Sequence, residues 1–282
     1  MIIMQEQTMP AEKENAQKAK IDALLHLADD SLIMGHRCSE WCGHGPILEQ
    51  DIALTNIALD FVGQARNFYQ HAATLLQQLP NDMALALADF DIVPASITED
   101  SLAYLRNVNA YKNHLLVELP NGDWAQTILK IFFFSSFRQM LFQQLLKNSD
   151  TQLAAIAEKS LKEIQYHVKW SGEWVMRFGD GTDESRERML KAIDYLWPYV
   201  GEFFNCTEYE KTAFELDDTS VDLLKQTWLN TINHTFQLAT LPEQTFGKWY
   251  QSGGKQGIHT EHLGYILAEM QFLPRTYPNA EW

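Results

Sequence analysis

The sequence predicts an all-α protein: a four-helix bundle core carrying additional helices. Two observations lead there. Apolar residues recur at helical spacing through most of the chain, and strand-like alternation bounded by turn residues is hard to find. Clustered glycines also mark several joints between the periodic segments.

The first 19 residues are polar and are expected to form a disordered tail, leaving 20–282 as a single helical domain. Helices are then expected at 20–38, 47–79, 98–108, 124–148, 150–178, 183–204, 217–240 and 259–273. Gly43, Gly45 and Pro46 separate the first two. In the second, Ile47, Leu54, Ala58, Phe61, Ala65, Phe68, Ala72 and Leu76 make one apolar face. The short link at Ser149–Asp150 makes 124–148 and 150–178 antiparallel neighbours. KIFFFSSFRQMLF (130–142) is apolar nearly all round, so its helix is either central or covered by a partner. Gly179 and Gly181 end the fifth helix, with Asp183 placed to cap the next. Gly253, Gly254 and Gly257 form a loop before the last.

Composition narrows the function. The chain has 282 residues, 46% of them hydrophobic and 21% charged, enough for a large core. A net charge of −15 argues against nucleic acid and anionic lipid as partners. No apolar run is long enough for a membrane span. Three cysteines suggest no disulfide framework. Cys38 and Cys42 lie one turn apart before His44 but lack a second ligand pair. They are read as buried thiols in a reduced compartment.

LKEIQYHVKW (161–170) places Glu163 and His167 on one helix face. Carboxylate-bridged di-iron bundles use Glu-x-x-His from two helices and a Glu from each of two more. That motif is absent: the residue three positions before each of the nine histidines is never acidic. Glu163 and His167 are therefore read as a hydrogen-bonded pair at the edge of the core, with metal the weaker alternative. His259 and His262, flanking Glu261, are read as a helix cap or partner contact, again with metal as the alternative. GGKQG (253–257) lacks the phosphate-loop spacing. No hydrolase elbow is present.

Five stretches carry a resemblance. They are SEWCGHGPILEQDIALTNIALDFVGQARNFYQHA (39–72), LLVELPNGDWAQTI (115–128), KEIQYHVKW (162–170), GDGTD (179–183) and GGKQGIHTEHLGYILAEMQFLPR (253–275). Together they resemble the structural, non-catalytic subunits of bacterial phenylacetyl-CoA epoxidases, from about residue 21 to the C-terminus. The resemblance implies a ferritin-like fold and a cytoplasmic multicomponent monooxygenase of phenylacetate catabolism. It implies a catalytic paralogue holding a di-iron centre, an NADPH-dependent reductase with flavin and an iron–sulfur cluster, and a small assembly subunit. This chain itself would bind no cofactor and have no catalytic residues.

By the same resemblance the di-iron site is degenerate. Phe61 and Gln64 stand where the paralogue's second helix has Glu and His. Ile164 and His167 stand where its fourth has Glu and His. Leu32 and Ser135 take the remaining carboxylate positions. Leu32, Phe61 and Ile164 offer no donor atoms and should pack as hydrocarbon, while hydrogen bonds satisfy Gln64, Ser135 and His167. Eight tryptophans and fifteen phenylalanines are taken as a surplus that an interface would absorb. Candidate partner contacts are Phe132, Phe133 and Phe134 with His259, Glu261 and His262. Candidate contacts for phenylacetyl-CoA are Ala110, Tyr111, Lys112 and Asn113, with Arg106 nearby, and Lys211. Alternative readings are a helical binding module of unrelated function and a stand-alone metalloenzyme using Glu163 and His167.

Overall fold

A computed structural model describes residues 11–277 and 280. Among these residues there is no strand. The helices are α1 (Ala11–Ser39), α2 (Leu48–Leu76), α3 (Asn81–Ala88), α4 (Glu99–Tyr104), α5 (Leu115–Glu118), α6 (Trp124–Leu145), α7 (Thr151–Gly179), α8 (Asp183–Val200), α9 (Glu208–Phe214), α10 (Asp218–Leu238), α11 (Glu261–Met270) and α12 (Phe272–Thr276). The fold is all-α and ferritin-like.

The long helices α1, α2, α6 and α7 form the bundle, each antiparallel to both of its neighbours. Contacts between residues far apart in sequence fix that order. Gln17 meets Leu75 and Asp29 meets Tyr69 between α1 and α2. Gln50 meets Trp174 and His71 meets Asp150 between α2 and α7. Arg138 of α6 reaches the Leu27 carbonyl of α1, and Trp41 reaches Thr127.

Several local expectations change. The first helix begins earlier than expected: residues 11–19 are helical, and 1–10 lie outside the described residues. The polar sequence hid this because one turn after another of α1 packs on α2, which propensity and periodicity alone do not register. Ile47 is the N-cap of α2 and exposed, whereas Leu54, Ala58, Phe61, Ala65, Phe68, Ala72 and Leu76 are buried. Thr182, not Asp183, caps α8 through Ser185 N; Asp183 sits in the first turn, where its charge favours the helix dipole. Thr260 caps α11. Cys38 is buried but Cys42 is exposed. The short helices α3, α5 and α9 fall outside the predicted segments, being too brief to show a period.

Helix α6 is central, and its all-round apolar surface is spent inside the chain. Phe132, Phe133 and Phe134 are all fully buried. As surfaces for a partner they drop out, because neighbouring helices, α7, α8 and α10 among them, cover their helix. The aromatic surplus has the same explanation. Phe133 meets Trp197, Trp228 and Phe236 with ring centroids 5.7, 5.6 and 6.2 Å apart. Phe203, Phe204 and Phe246 close around Trp228, whose indole N–H donates to the Phe133 carbonyl. Such pairs add about 0.5–1.5 kcal/mol each beyond burial. Phe133→Ala should therefore cost about 3–5 kcal/mol in denaturant unfolding. A loss below about 1 kcal/mol would mean that this aromatic cluster does not hold α6 to α8 and α10.

Candidate functional site

The six positions compared with di-iron ligands all lie in the bundle interior, three as hydrocarbon and three as polar groups. Leu32, Phe61, Gln64, Ser135, Ile164 and His167 are all buried. The Phe61 ring sits 4.7 Å from the His167 ring and 5.7 Å from Phe134. Glu163 and His167 do not bond to each other. Each reaches across to α2 instead: Gln64 donates to Glu163 at 2.9 Å, and His167 Nε2 lies 3.0 Å from the Asp60 carboxylate. Residues four apart on antiparallel helices make two rungs this way. Burial pushes the Glu163 carboxyl above its ordinary range, against the Gln64 hydrogen bond. The expected satisfaction of the polar trio is partial: Ser135 Oγ, Gln64 Oε1 and His167 Nδ1 have no hydrogen-bond partner among the described residues.

A larger polar constellation lies along α1, and the sequence reading missed it. His26, Asp29 and Asp30 share one face within the apolar stretch of α1, and all three are fully buried. Asp29 accepts from Tyr69 OH, from the Arg106 guanidinium and, at 2.8 Å, from the Lys112 backbone N–H. Asp30 accepts from the His114 backbone N–H and Nδ1, each at 2.8 Å, with Arg138 Nη1 at 3.8 Å. His26 Nδ1 donates to the Lys112 carbonyl at 2.7 Å, which leaves its Nε2 facing Asp30 at 3.7 Å and Glu210 at 3.8 Å. Lys255 pairs with Glu210 at 2.9 Å.

This network also builds the glycine loop. The buried Glu202 carboxylate accepts from Gly253 N, Gly254 N and Leu115 N, at 2.8, 2.9 and 2.8 Å. A Cβ on Gly254 would come 2.1 Å from the Asn113 carbonyl oxygen, so only glycine lets the loop lie on the 112–118 segment. His259 Nε2 donates to the Tyr111 carbonyl, and Thr260 N donates to Glu118.

The electrostatics follow from burial. Desolvation holds His26 down to about 4 and His114 well below 6.5, so both are neutral at pH 7. Burial works against the Glu210 carboxylate, yet Lys255 and His26 bring its pKa down to about 2. Burial raises Asp30, opposed by His26 and Arg138.

His26, Asp30 and His114 could bring three metal-donor atoms within 4.8 Å of one another. The donor set does not favour a cation, however. Both imidazoles donate Nδ1–H and keep Nε2 free, but Arg138 and Lys255 already offset Asp30 and Glu210. A divalent ion would leave an uncompensated buried charge.

The CoA candidates largely turn inward. Tyr111 and Asn113 are fully buried, Ala110 is buried, and Arg106 is locked to Asp29. Lys112 and Lys211 stay at the surface, paired with Asp22 at 3.4 Å and Asp218 at 2.8 Å. Tyr111 is core because its hydroxyl donates to the Ala103 carbonyl while its ring lies under Arg106. Of the terminal contact candidates, Glu261 is exposed and His262 half-buried, but the His259 side chain is buried. The clue to the missed network lay in LLHLADDSL (24–32), where His26, Asp29 and Asp30 interrupt an apolar face.

The structure defines a class: an all-α, ferritin-like bundle whose interior also holds an internally neutralised polar network. The chain belongs to the phenylacetic acid catabolic protein family, whose profile matches residues 2–282. It is 40% identical over 262 residues to the component designated C of the 1,2-phenylacetyl-CoA epoxidase of Escherichia coli (strain K12), covering 92% of this chain and 97% of that protein.

The network makes a pH prediction. The folded pKa of His26 lies below its unfolded value, so the unfolded chain takes up the proton first as pH falls. The contribution is fully present above about 6.5 and is lost between about 6.5 and 4. Wild type should therefore lose roughly 3 kcal/mol more than His26→Asn between pH 7 and pH 4. Parallel unfolding free energies for the two proteins across that range would show that His26 is not held neutral.

Proposed function

We propose that this chain is the non-catalytic structural subunit of a multicomponent di-iron monooxygenase that epoxidises the ring of phenylacetyl-CoA in phenylacetate catabolism. It binds and stabilises the catalytic di-iron paralogue in the cytoplasm. The carrying observation is the hydrocarbon at Leu32, Phe61 and Ile164 in the bundle interior, read together with 40% identity to a component of the E. coli epoxidase. A di-iron pair needs several carboxylates to offset its charge. Hydrocarbon at three of those positions makes the site degenerate.

The cofactors then belong to the partners: di-iron to the paralogue, flavin and iron–sulfur to the reductase. A small assembly protein makes up the rest of the complex. The ion-paired state of Lys112 and Lys211 supports leaving the CoA ester to the paralogue's pocket. Lys112→Glu should leave CoA-ester retention by the complex unchanged; a clear loss would return Lys112 to the substrate path.

Iron content tests the main reading against a stand-alone metalloenzyme. The chain purified alone should carry little iron by elemental analysis. Co-expressed with the catalytic subunit, it should co-purify in a stable complex whose iron follows the catalytic chain. Stoichiometric iron in the isolated chain, lost in Glu163→Gln or His167→Ala, would overturn the scaffold reading.

A further inference from the structure

The inner face of α2 is buried, yet its outer face is also apolar. Leu48, Ile52, Leu59 and Val62 are 72%, 52%, 64% and 41% exposed. Their positions fall on alternating steps of four and three residues, with Thr55 filling the intervening step. That is the heptad rhythm by which one helix seats another. The stripe runs roughly 21 Å along the helix. On the other bundle helices, among the described residues, only Tyr166 of the neighbouring α7 is a large apolar side chain as exposed as these.

Gly63 is an independent sign. It sits inside α2, where glycine is the poorest helix former after proline. A Cβ built on Gly63 meets nothing within 4 Å, so no contact inside this chain requires glycine there. Gly35, by contrast, faces Val62, Ala58 and Phe61 within 3.3 Å. Gly63 lies one turn beyond Leu59 on the exposed side. What a glycine supplies at such a point is close approach by a second backbone.

We propose that this outer stripe, Leu48–Ile52–Leu59–Val62 around Gly63, seats one antiparallel amphipathic helix of the catalytic subunit. The inference rests on the proposal that this chain is the structural partner of that subunit. The chemistry of the seated helix follows from the stripe. It carries aliphatic residues at the same four–three spacing and a small or flat surface opposite Gly63. It has a basic residue near Glu49, the charged group at one end, while Arg66 at the other is already paired with Glu99 at 3.4 Å. A second copy of this chain is the poorer occupant, since each copy carries a net charge of −15 and the two repel.

The test uses the full chain co-expressed with the di-iron catalytic subunit. Two variants are compared with wild type, Gly63→Leu and the double change Ile52→Asp with Leu59→Asp. Each is followed by its own melting temperature and by its affinity for the catalytic subunit, with complex mass read by light scattering. Gly63→Leu should melt no lower than wild type and bind at least tenfold more weakly. The double variant should remain helical and lose the complex. Wild-type affinity in both variants, with the wild-type complex intact, overturns the stripe as the seat while leaving the structural role standing. A wild-type chain that forms no complex overturns that role and the inference with it. A wild-type chain that instead pairs with itself through these residues, as tightly as with the catalytic subunit, overturns the choice of occupant.

Discussion

Asp29 and Asp30 are two consecutive carboxylates in a helix with no solvent exposure, and much of the remaining architecture is arranged around them. Burying one ionised carboxylate costs several kcal/mol unless charge and hydrogen bonds meet it. The groups that meet these two come from distant parts of the chain: Tyr69 from α2, Arg106, Lys112 and His114 from the α4–α5 connection, and Arg138 from α6. Residues 105–114 have only one short 3-10 turn, Val108–Ala110, as helix to hold them. They are placed because their backbone N–H groups and side chains have a fixed target on α1. Once they are placed, the Asn113 carbonyl lies against Gly254, and Glu202 ties the two segments by accepting from Leu115 N, Gly253 N and Gly254 N.

The consequence is a core in which basic side chains of the chain itself stand against the buried acids. Buried acids in a bundle can be balanced by metal or by Arg, Lys and His. Metal-balanced acids make the fold depend on loading. Here Arg106, Arg138 and Lys255, all covalently part of the chain, stand against Asp29, Asp30 and Glu210. Replacing such a network with hydrocarbon is often neutral for stability, whereas removing one member leaves a buried charge exposed to its full desolvation cost. The network is thus better understood as fixing one arrangement of segments than as a large source of stability.

How much of this the sequence disclosed depended on the length scale of the signal. The four long helices were legible because 22 to 29 residues give several turns of apolar period. The brief helices α5 and α9 were not, because four or seven residues cannot show one. Phe132, Phe133 and Phe134 were ambiguous for a different reason: an all-round apolar helix reads the same whether its cover is intrachain or a partner, and only packing decides. The polar network was invisible as a set because the groups that meet Asp29 and Asp30 lie 40 to 108 residues away. Only the local oddity of Asp29–Asp30 within an apolar run hinted at it. Tyr111 and Asn113 misled because an aromatic beside a lysine looks like a surface anion site, while in the fold the chain turns them inward.

The two faces of α2 separate stability from recognition. Phe61, Ala65 and Phe68 on the inner face are fully used within the chain, and their geometry is set by neighbours on α1, α6 and α7. Leu59 is largely exposed and Gly63 meets nothing within 4 Å on the outer face, while Val62 is shared between that face and Gly35 of α1. An aliphatic side chain left in water forgoes the roughly 1.5–3 kcal/mol that its burial is worth. A helical glycine costs about 1 kcal/mol relative to alanine. Both features persist side by side on one turn of one helix, and both costs are offset by the same event, burial of that turn against a second helix. The inside of this bundle is finished by its own side chains, and the outside of α2 is where it remains open to another chain.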